Sequence, residues 1–239
     1  MIAAMRTNGD RRLRVAIPKG ALFADSVAML AGCGLDVTGL AEPGRQLIVS
    51  TANADFVIAK PTDVPIYVAY GGADCGIAGK DVLVEAALDV VELVDLDFGG
   101  CRFVVAAREG SASIAERYAQ LGVVRVATKY PGIAQAHFDE RGIQVEIVKL
   151  NGNIELAPLI GIADVIVDIT ATGTTLRENN LRIVEDVLPS TARFVANPVA
   201  LRTDPRVTAL ADAMSAQSVK STSAAGAADT EDEGTGTPS

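Results

Sequence analysis

Short β-rich runs alternate with helical stretches along most of this 239-residue chain. Strand patterns fall at 13–17, 47–50, 56–59, 75–78, 90–96, 102–107, 123–127, 145–150, 165–169 and 193–197. Helical patterns fall at 21–31, 63–70, 81–87, 113–121, 133–141, 154–160, 174–179 and 205–215. Strands separated by helices cannot pair as hairpins, so the pattern predicts an α/β fold of parallel sheets with helices on their faces. The stretch 104–187 reads as a complete strand–helix unit, and the segments on either side read as one sheet domain that the chain leaves and re-enters. The expected organisation is a discontinuous first lobe, 1–103 plus 188–215, and a second lobe, 104–187, with a ligand cleft between them.

Residues 216–239 offer Val219 as their only large apolar side chain, with four acids against one base. Burial there cannot offset ordering entropy, so a disordered acidic tail is expected. Composition excludes several functions. Hydrophobic residues at 49% and charged residues at 21% exclude disorder throughout. A net charge of −9 argues against holding nucleic acid or anionic membrane by bulk charge, so an anionic ligand must be held by local geometry. One histidine and three scattered cysteines cannot assemble a usual Cys/His zinc site. The apolar stretch Leu13 to Ile17 is too short for a signal-peptide core, and no run approaches a membrane span, which points to a soluble, cytoplasmic protein.

The stretch ADVIVDITATGTTLRENNL, Ala163 to Leu181, is the richest in chemistry. Its apolar strand carries Asp168 near the carboxyl end, and Thr170-Ala171-Thr172-Gly173-Thr174-Thr175 then opens a helix. Backbone N–H groups at a helix start are unpaired and partly positive, so a phosphate can sit among them, with threonine hydroxyls as further donors. Gly173 leaves that approach open, and Asp168 is placed to accept hydrogen bonds from two ribose hydroxyls. A plain turn with a threonine cap explains TGTT alone about as well. An acid, a glycine and four threonines together favour the phosphate.

Glu155 follows Asn151-Gly152-Asn153 at the head of a short helix, where capping alone would explain an acid. In IPKG, Lys19 and Gly20 follow the first strand; the lysine can neutralise diphosphate or simply be solvated. Asp63, Asp74, Lys80 and Asp81 stand among Gly71, Gly72, Gly76 and Gly79, a density that suits either a ligand or tight packing. Arg45 is a further candidate for phosphate contact. His137, beside Phe138, reads as a packing or surface residue, and Cys75 and Cys101 as strand-packing thiols.

Glu155 to Leu176, ELAPLIGIADVIVDITATGTTL, resembles the signature of the ATP phosphoribosyltransferase family. Similar stretches run along Leu13 to Leu210: VAIPKG, DVPIYVAYGGADCGIAGKDVL, GCRFVVA, ATKY, VKLNGNIELAP, TLRENNL and VANPVAL. The resemblance implies a two-lobed, periplasmic-binding-protein type II-like fold with mixed parallel sheets. It implies a glycosyltransferase-class enzyme of histidine biosynthesis that moves phosphoribose from phosphoribosyl diphosphate (PRPP) to N1 of ATP, with Mg²⁺ and release of diphosphate. It also implies a PRPP loop of Asp168, Ile169, Thr170, Ala171, Thr172, Gly173, Thr174 and Thr175, with Asp168 on the ribose hydroxyls and Thr172 to Thr175 on the 5-phosphate. Glu155 would lie near the reacting ribose, and Lys19, Gly20, Arg45, Lys60 and Asp81 would contact ATP or diphosphate. Asp168, Glu155 and Lys19 would form the catalytic set. Metal ligands stay unassigned, because substrate and water can supply much of a Mg²⁺ shell.

With only a tail after Ser215, the chain resembles the family's short form. Such members are similar in forming dimers that join a histidyl-tRNA-synthetase-like regulatory subunit in a hetero-octamer. The sequence departs from the family pattern at Ala21 and Lys60, where arginine is common, and at Gly132, where asparagine is frequent. Some ATP-phosphate contacts are therefore expected to be weaker or to come from other residues. The chemistry needs no nucleophilic side chain: positioning and electrostatics suffice, with lobe closure to exclude water. The competing readings are a two-lobed solute-binding or ligand-sensing protein, since the fold alone is shared, and a phosphoribosyltransferase acting on a free base.

Overall fold

Large apolar residues at 13, 15 and 17 alternate with Arg14, Ala16 and Pro18, and this period of two decides what each face of the first sheet packs against. A computed structural model describes residues 11–41, 44 and 46–228, with backbone only for 220–228. The chain begins with β1 (Leu13–Pro18), α1 (Phe23–Gly32), β2 (Ile48–Ser50), β3 (Ala54–Ala59), a 3₁₀ turn at Pro61–Asp63, α2 (Val64–Ala69), β4 (Cys75–Gly79), α3 (Lys80–Ala86) and β5 (Val91–Asp95). It continues through β6 (Cys101–Arg108), α4 (Ile114–Leu121), β7 (Val124–Thr128), α5 (Pro131–Asp139), β8 (Val145–Lys149), α6 (Leu156–Leu159), β9 (Val165–Thr170), α7 (Thr174–Glu178) and β10 (Leu181–Ser190). It closes with β11 (Ala192–Ala196), α8 (Pro198–Thr203) and α9 (Pro205–Ala228).

The chain forms two compact units. One holds the described residues up to Leu83, Leu88–Gly99 and those from Thr191 on; the other holds Val84–Ala87 and Gly100–Ser190. The main passages thus lie at 99/100 and 190/191, where sequence reading placed them at 103/104 and 187/188.

The first unit carries a sheet in the order β2-β3-β1-β4-β11-β5. Val15 and Ile17 point into a layer with Leu30, Phe56, Ile77, Phe194, Leu210 and Met214. Ala16 points the other way, toward Val64, Val68, Ala78 and Val195. That second layer is thin because its residues are small. A Cβ on Gly76 would meet the Ala16 carbonyl oxygen at 2.8 Å and Val64 Cγ1 at 3.1 Å, so glycine is what lets α2 lie so close.

The second unit carries a sheet in the order β10-β6-β9-β7-β8. Phe103, Val105, Val126 and Val167 pack on Ile133 and Phe138 of α5; Val104, Ala106, Ala127 and Ile166 pack on Ala157 of α6 and Leu176 of α7. Fully buried Phe103 also meets Tyr130 edge-on, with ring centroids 4.8 Å apart. Truncating such a residue to alanine costs about 3–5 kcal/mol.

The sheets are mixed. β1 is parallel to both β3 and β4, and β7 to both β8 and β9, as strand–helix–strand connections require. Three strands are reversed. β2 returns directly into β3 as a hairpin, while β6 and β11 pair antiparallel with their neighbours. β6 and β11 are the strands that follow each main passage between units, so no crossover helix within a unit sets their direction.

Helix α9 runs on to Ala228, well past Ser215, where sequence reading began a disordered tail. The extra turns are tied down: Ser218 Oγ donates to Asp97 Oδ2 at 2.9 Å, and Ser218 is buried. Residues 229–239 lie outside the described residues.

Candidate active site

In the second unit the parallel strands β8, β7 and β9 end on one edge, with Thr128 of β7 opposite Lys149 on one side and Val167 on the other. The residues that follow them therefore gather: Asn151 to Glu155 after β8, Lys129 after β7, and Asp168 to Thr175 at the end of β9. This is the edge where open α/β sheets bind ligands.

The loop after β9 is braced from within. Gly173 adopts φ +73° and its amide donates to Thr170 Oγ1 at 2.8 Å, so Thr170 shapes the turn. The Thr172 and Thr174 hydroxyls lie 2.9 Å apart and both residues are exposed, as is Thr175. From α7, Arg177 Nη1 donates to the Thr172 carbonyl at 3.0 Å and Nη2 to Thr174 Oγ1 at 3.1 Å. Ile169 packs its side chain into the core, which leaves only its backbone for a ligand.

Asp168 is half-buried, with Oδ1 accepting from the Ile169 amide at 2.8 Å. Burial pushes its carboxyl above the ordinary range; the Ile169 N–H opposes this, the Glu155 charge adds to it, and the Lys129 charge partly relieves it. Asp168, Glu155 and Lys129 thus share one electrostatic neighbourhood. Glu155 precedes α6 in helical conformation and makes no capping hydrogen bond with its side chain, so the capping role is not realised.

In the first unit, Pro18 of β1 and Ala59 of β3 are the last register pair, and Lys19 N donates to Ala59 O at 2.7 Å. Lys19 and Lys60 therefore leave adjacent strand ends together, and both are exposed. Gly20 adopts φ +84° in open surroundings. Asp81 is buried and its carboxylate covers Gly79 too closely for any Cβ there, while Lys80 pairs with Glu92 at 2.6 Å. Arg45 lies outside the described residues. Buried His137 holds Glu185 at 2.9 Å across α5 and β10, a packing role; Cys33 and Cys75 are buried thiols pushed up by burial, and Cys101 is half-buried.

Sequence reading passed over Lys129 and Arg177. Each carried a signal: Lys129 follows a strand as Lys19 does, and Arg177 lies four residues beyond Gly173, one helical turn away.

Two mixed α/β units, one of which ends its parallel strands in an acid and a hydroxyl-rich loop, define a two-domain enzyme of the periplasmic-binding-protein type II fold class. The family model described as ATP phosphoribosyltransferase matches residues 60–216. An ATP phosphoribosyltransferase of Moorella thermoacetica is 50% identical over 210 residues, 84% of this chain and 91% of the relative. That of Rubrobacter xylanophilus is 48% identical over 188 residues, 78% of this chain and 87% of the relative. Among solved structures, a chain of the ATP phosphoribosyl transferase (HisG:HisZ) complex from Thermotoga maritima superposes with a TM-score of 0.73 at 32% identity, covering 84% of this chain and 95% of that one. The chain belongs to the ATP phosphoribosyltransferase family.

Proposed function

We propose that this chain transfers the 5-phosphoribosyl group of PRPP to N1 of ATP and releases diphosphate, the first step of histidine biosynthesis. The observation that carries the reading is the Asp168-to-Thr175 segment, set at the parallel strand ends of a chain that belongs to this family. Asp168 accepts hydrogen bonds from the ribose hydroxyls. The hydroxyls of Thr172, Thr174 and Thr175 hold the 5-phosphate from their exposed side of the loop. As the C1–O bond of PRPP breaks, positive charge builds on the ribose and the carboxylates of Asp168 and Glu155 stabilise it, while N1 of the adenine attacks the opposite face. Lys19 and Lys60, side by side at the first unit's sheet edge, supply positive charge for diphosphate or ATP phosphates.

Asp168 and Glu155 offer hard oxygen donors of the sort that hold Mg²⁺ through one or two carboxylates, with substrate phosphates and water completing the shell. A Mg²⁺ ion held there would supply positive charge against the leaving diphosphate.

The Thermotoga maritima likeness supports a HisZ-type partner, and the family resemblance adds a homodimer joined by a histidyl-tRNA-synthetase-like regulatory subunit in a hetero-octamer. The reaction's substrates support a cytoplasmic setting, and among the described residues no helix is long and apolar enough to cross a membrane.

Diphosphate release, followed with and without the co-expressed regulatory subunit, tests the reading. It is expected only with PRPP and ATP together, and faster with the partner present. Release with free adenine in place of ATP, or none under any condition, would overturn it.

A further inference from the structure

Among the described residues, Arg177 is the cation that hydrogen-bonds a hydroxyl of the threonine loop, and sequence reading gave it no role. Its side chain folds back from α7 over the loop. Two hydrogen bonds, to the Thr172 carbonyl and the Thr174 hydroxyl, fix its guanidinium. A Cβ on Gly173 would lie 3.3 Å from Arg177 Nη1, so the guanidinium passes close over this glycine. The left-handed turn is what requires the glycine.

Its charge is not neutralised. Arg117, Arg125, Arg141, Arg193 and Arg206 each pair with a carboxylate, whereas among the described residues Arg177 pairs with none. A guanidinium has five N–H groups, and the loop uses one on each terminal nitrogen, which leaves three. A planar, permanently charged donor, exposed and fixed beside hydroxyls, matches a phosphate dianion. In a chain of net charge −9, such a cation sets the local field where bulk charge would repel the ligand.

We infer that Arg177 is the anchoring cation of the loop: it holds Thr172 and Thr174 in place and takes the 5-phosphate of PRPP on its remaining N–H groups. This rests on the reading of 168–175 as the PRPP loop.

The test is calorimetry of PRPP and, separately, of ATP on the full chain carrying Arg177→Gln, Arg177→Lys or Asp168→Asn, with thermal melts to confirm folding. Glutamine keeps a donor for the loop and removes the charge; lysine keeps the charge and loses the fork. Arg177→Gln is expected to weaken PRPP at least about tenfold, to leave ATP within about twofold, and to flatten the salt dependence of PRPP binding. Arg177→Lys is expected to recover part of the loss, with the effect on the KM for PRPP exceeding that on kcat. Wild-type PRPP affinity in Arg177→Gln alongside a weakened Asp168→Asn would overturn this inference and leave the loop reading standing. Wild-type affinity in both would overturn the loop reading as well. A lysine variant no better than glutamine would remove the role of charge.

Discussion

Asp168 faces two opposed demands. Its place at the end of a buried strand favours the neutral acid, whereas accepting hydrogen bonds from ribose requires the carboxylate. A carboxyl whose folded pKa is raised adds stability that is full below the unfolded value and lost as pH rises through the folded one. Asp168→Asn is therefore expected to raise the thermal midpoint at neutral pH while PRPP binding falls, the trade found where function holds a residue against stability. PRPP affinity in the wild type is expected to drop, as pH falls, at a midpoint above the ~3.9 of an ordinary aspartate. Lys129→Met removes the charge that favours ionisation and should move that midpoint higher still. Titration of PRPP affinity against pH in both proteins checks this; a midpoint at or below 3.9, or one that Lys129→Met leaves in place, would contradict the assigned neighbourhood.

Among the elements, the join between α2 and α8 rests on one side chain. Asn197 is buried, its Oδ1 accepts from the amides of Val199 and Ala200 at 2.9 and 3.1 Å, and its Nδ2 donates to the carbonyls of Val68 and Ala69 at 2.9 and 3.2 Å. It caps α8 and satisfies the end of α2 at once. Asn197→Ala is expected to cost about 1–3 kcal/mol in denaturant unfolding. Asn197→Asp, which keeps the cap acceptor but turns an oxygen toward two carbonyls, should also destabilise. An unchanged midpoint in both would show that the join is not needed. The same region shows what the sequence hid. Asn197-Pro198 is an N-cap followed by proline at the first helical position, the signal for α8, which the strand pattern of 193–197 masks. β10 escaped notice because Pro189 and two register shifts interrupt its pattern; as an edge strand it tolerates both. The other strands and helices were legible within a few residues, except the end of α9, which runs on to Ala228 through a stretch poor in large apolar side chains. Strand direction was legible only inside a unit, since β6 and β11 take theirs from the passages that the periodicity does not mark.

For the molecule as a whole, a net charge of −9 and a phosphate-rich pair of substrates make the placement of a few cations decisive. The acid and threonine loop was legible because its parts are consecutive in sequence. Lys129 and Arg177 were legible only as weak signals, because Lys129 reaches the loop through strand pairing and Arg177, although it stands in the Ala163 to Leu181 stretch, reaches it through side-chain direction. Lys19 and Lys60 were legible singly, and the register of β1 with β3 makes them neighbours. All of this turns on where PRPP sits. A crystal of the chain grown with PRPP answers it: the 5-phosphate should lie against Thr172 to Thr175, with the ribose hydroxyls on Asp168. Density for PRPP elsewhere, with that loop bare, would contradict the assignment.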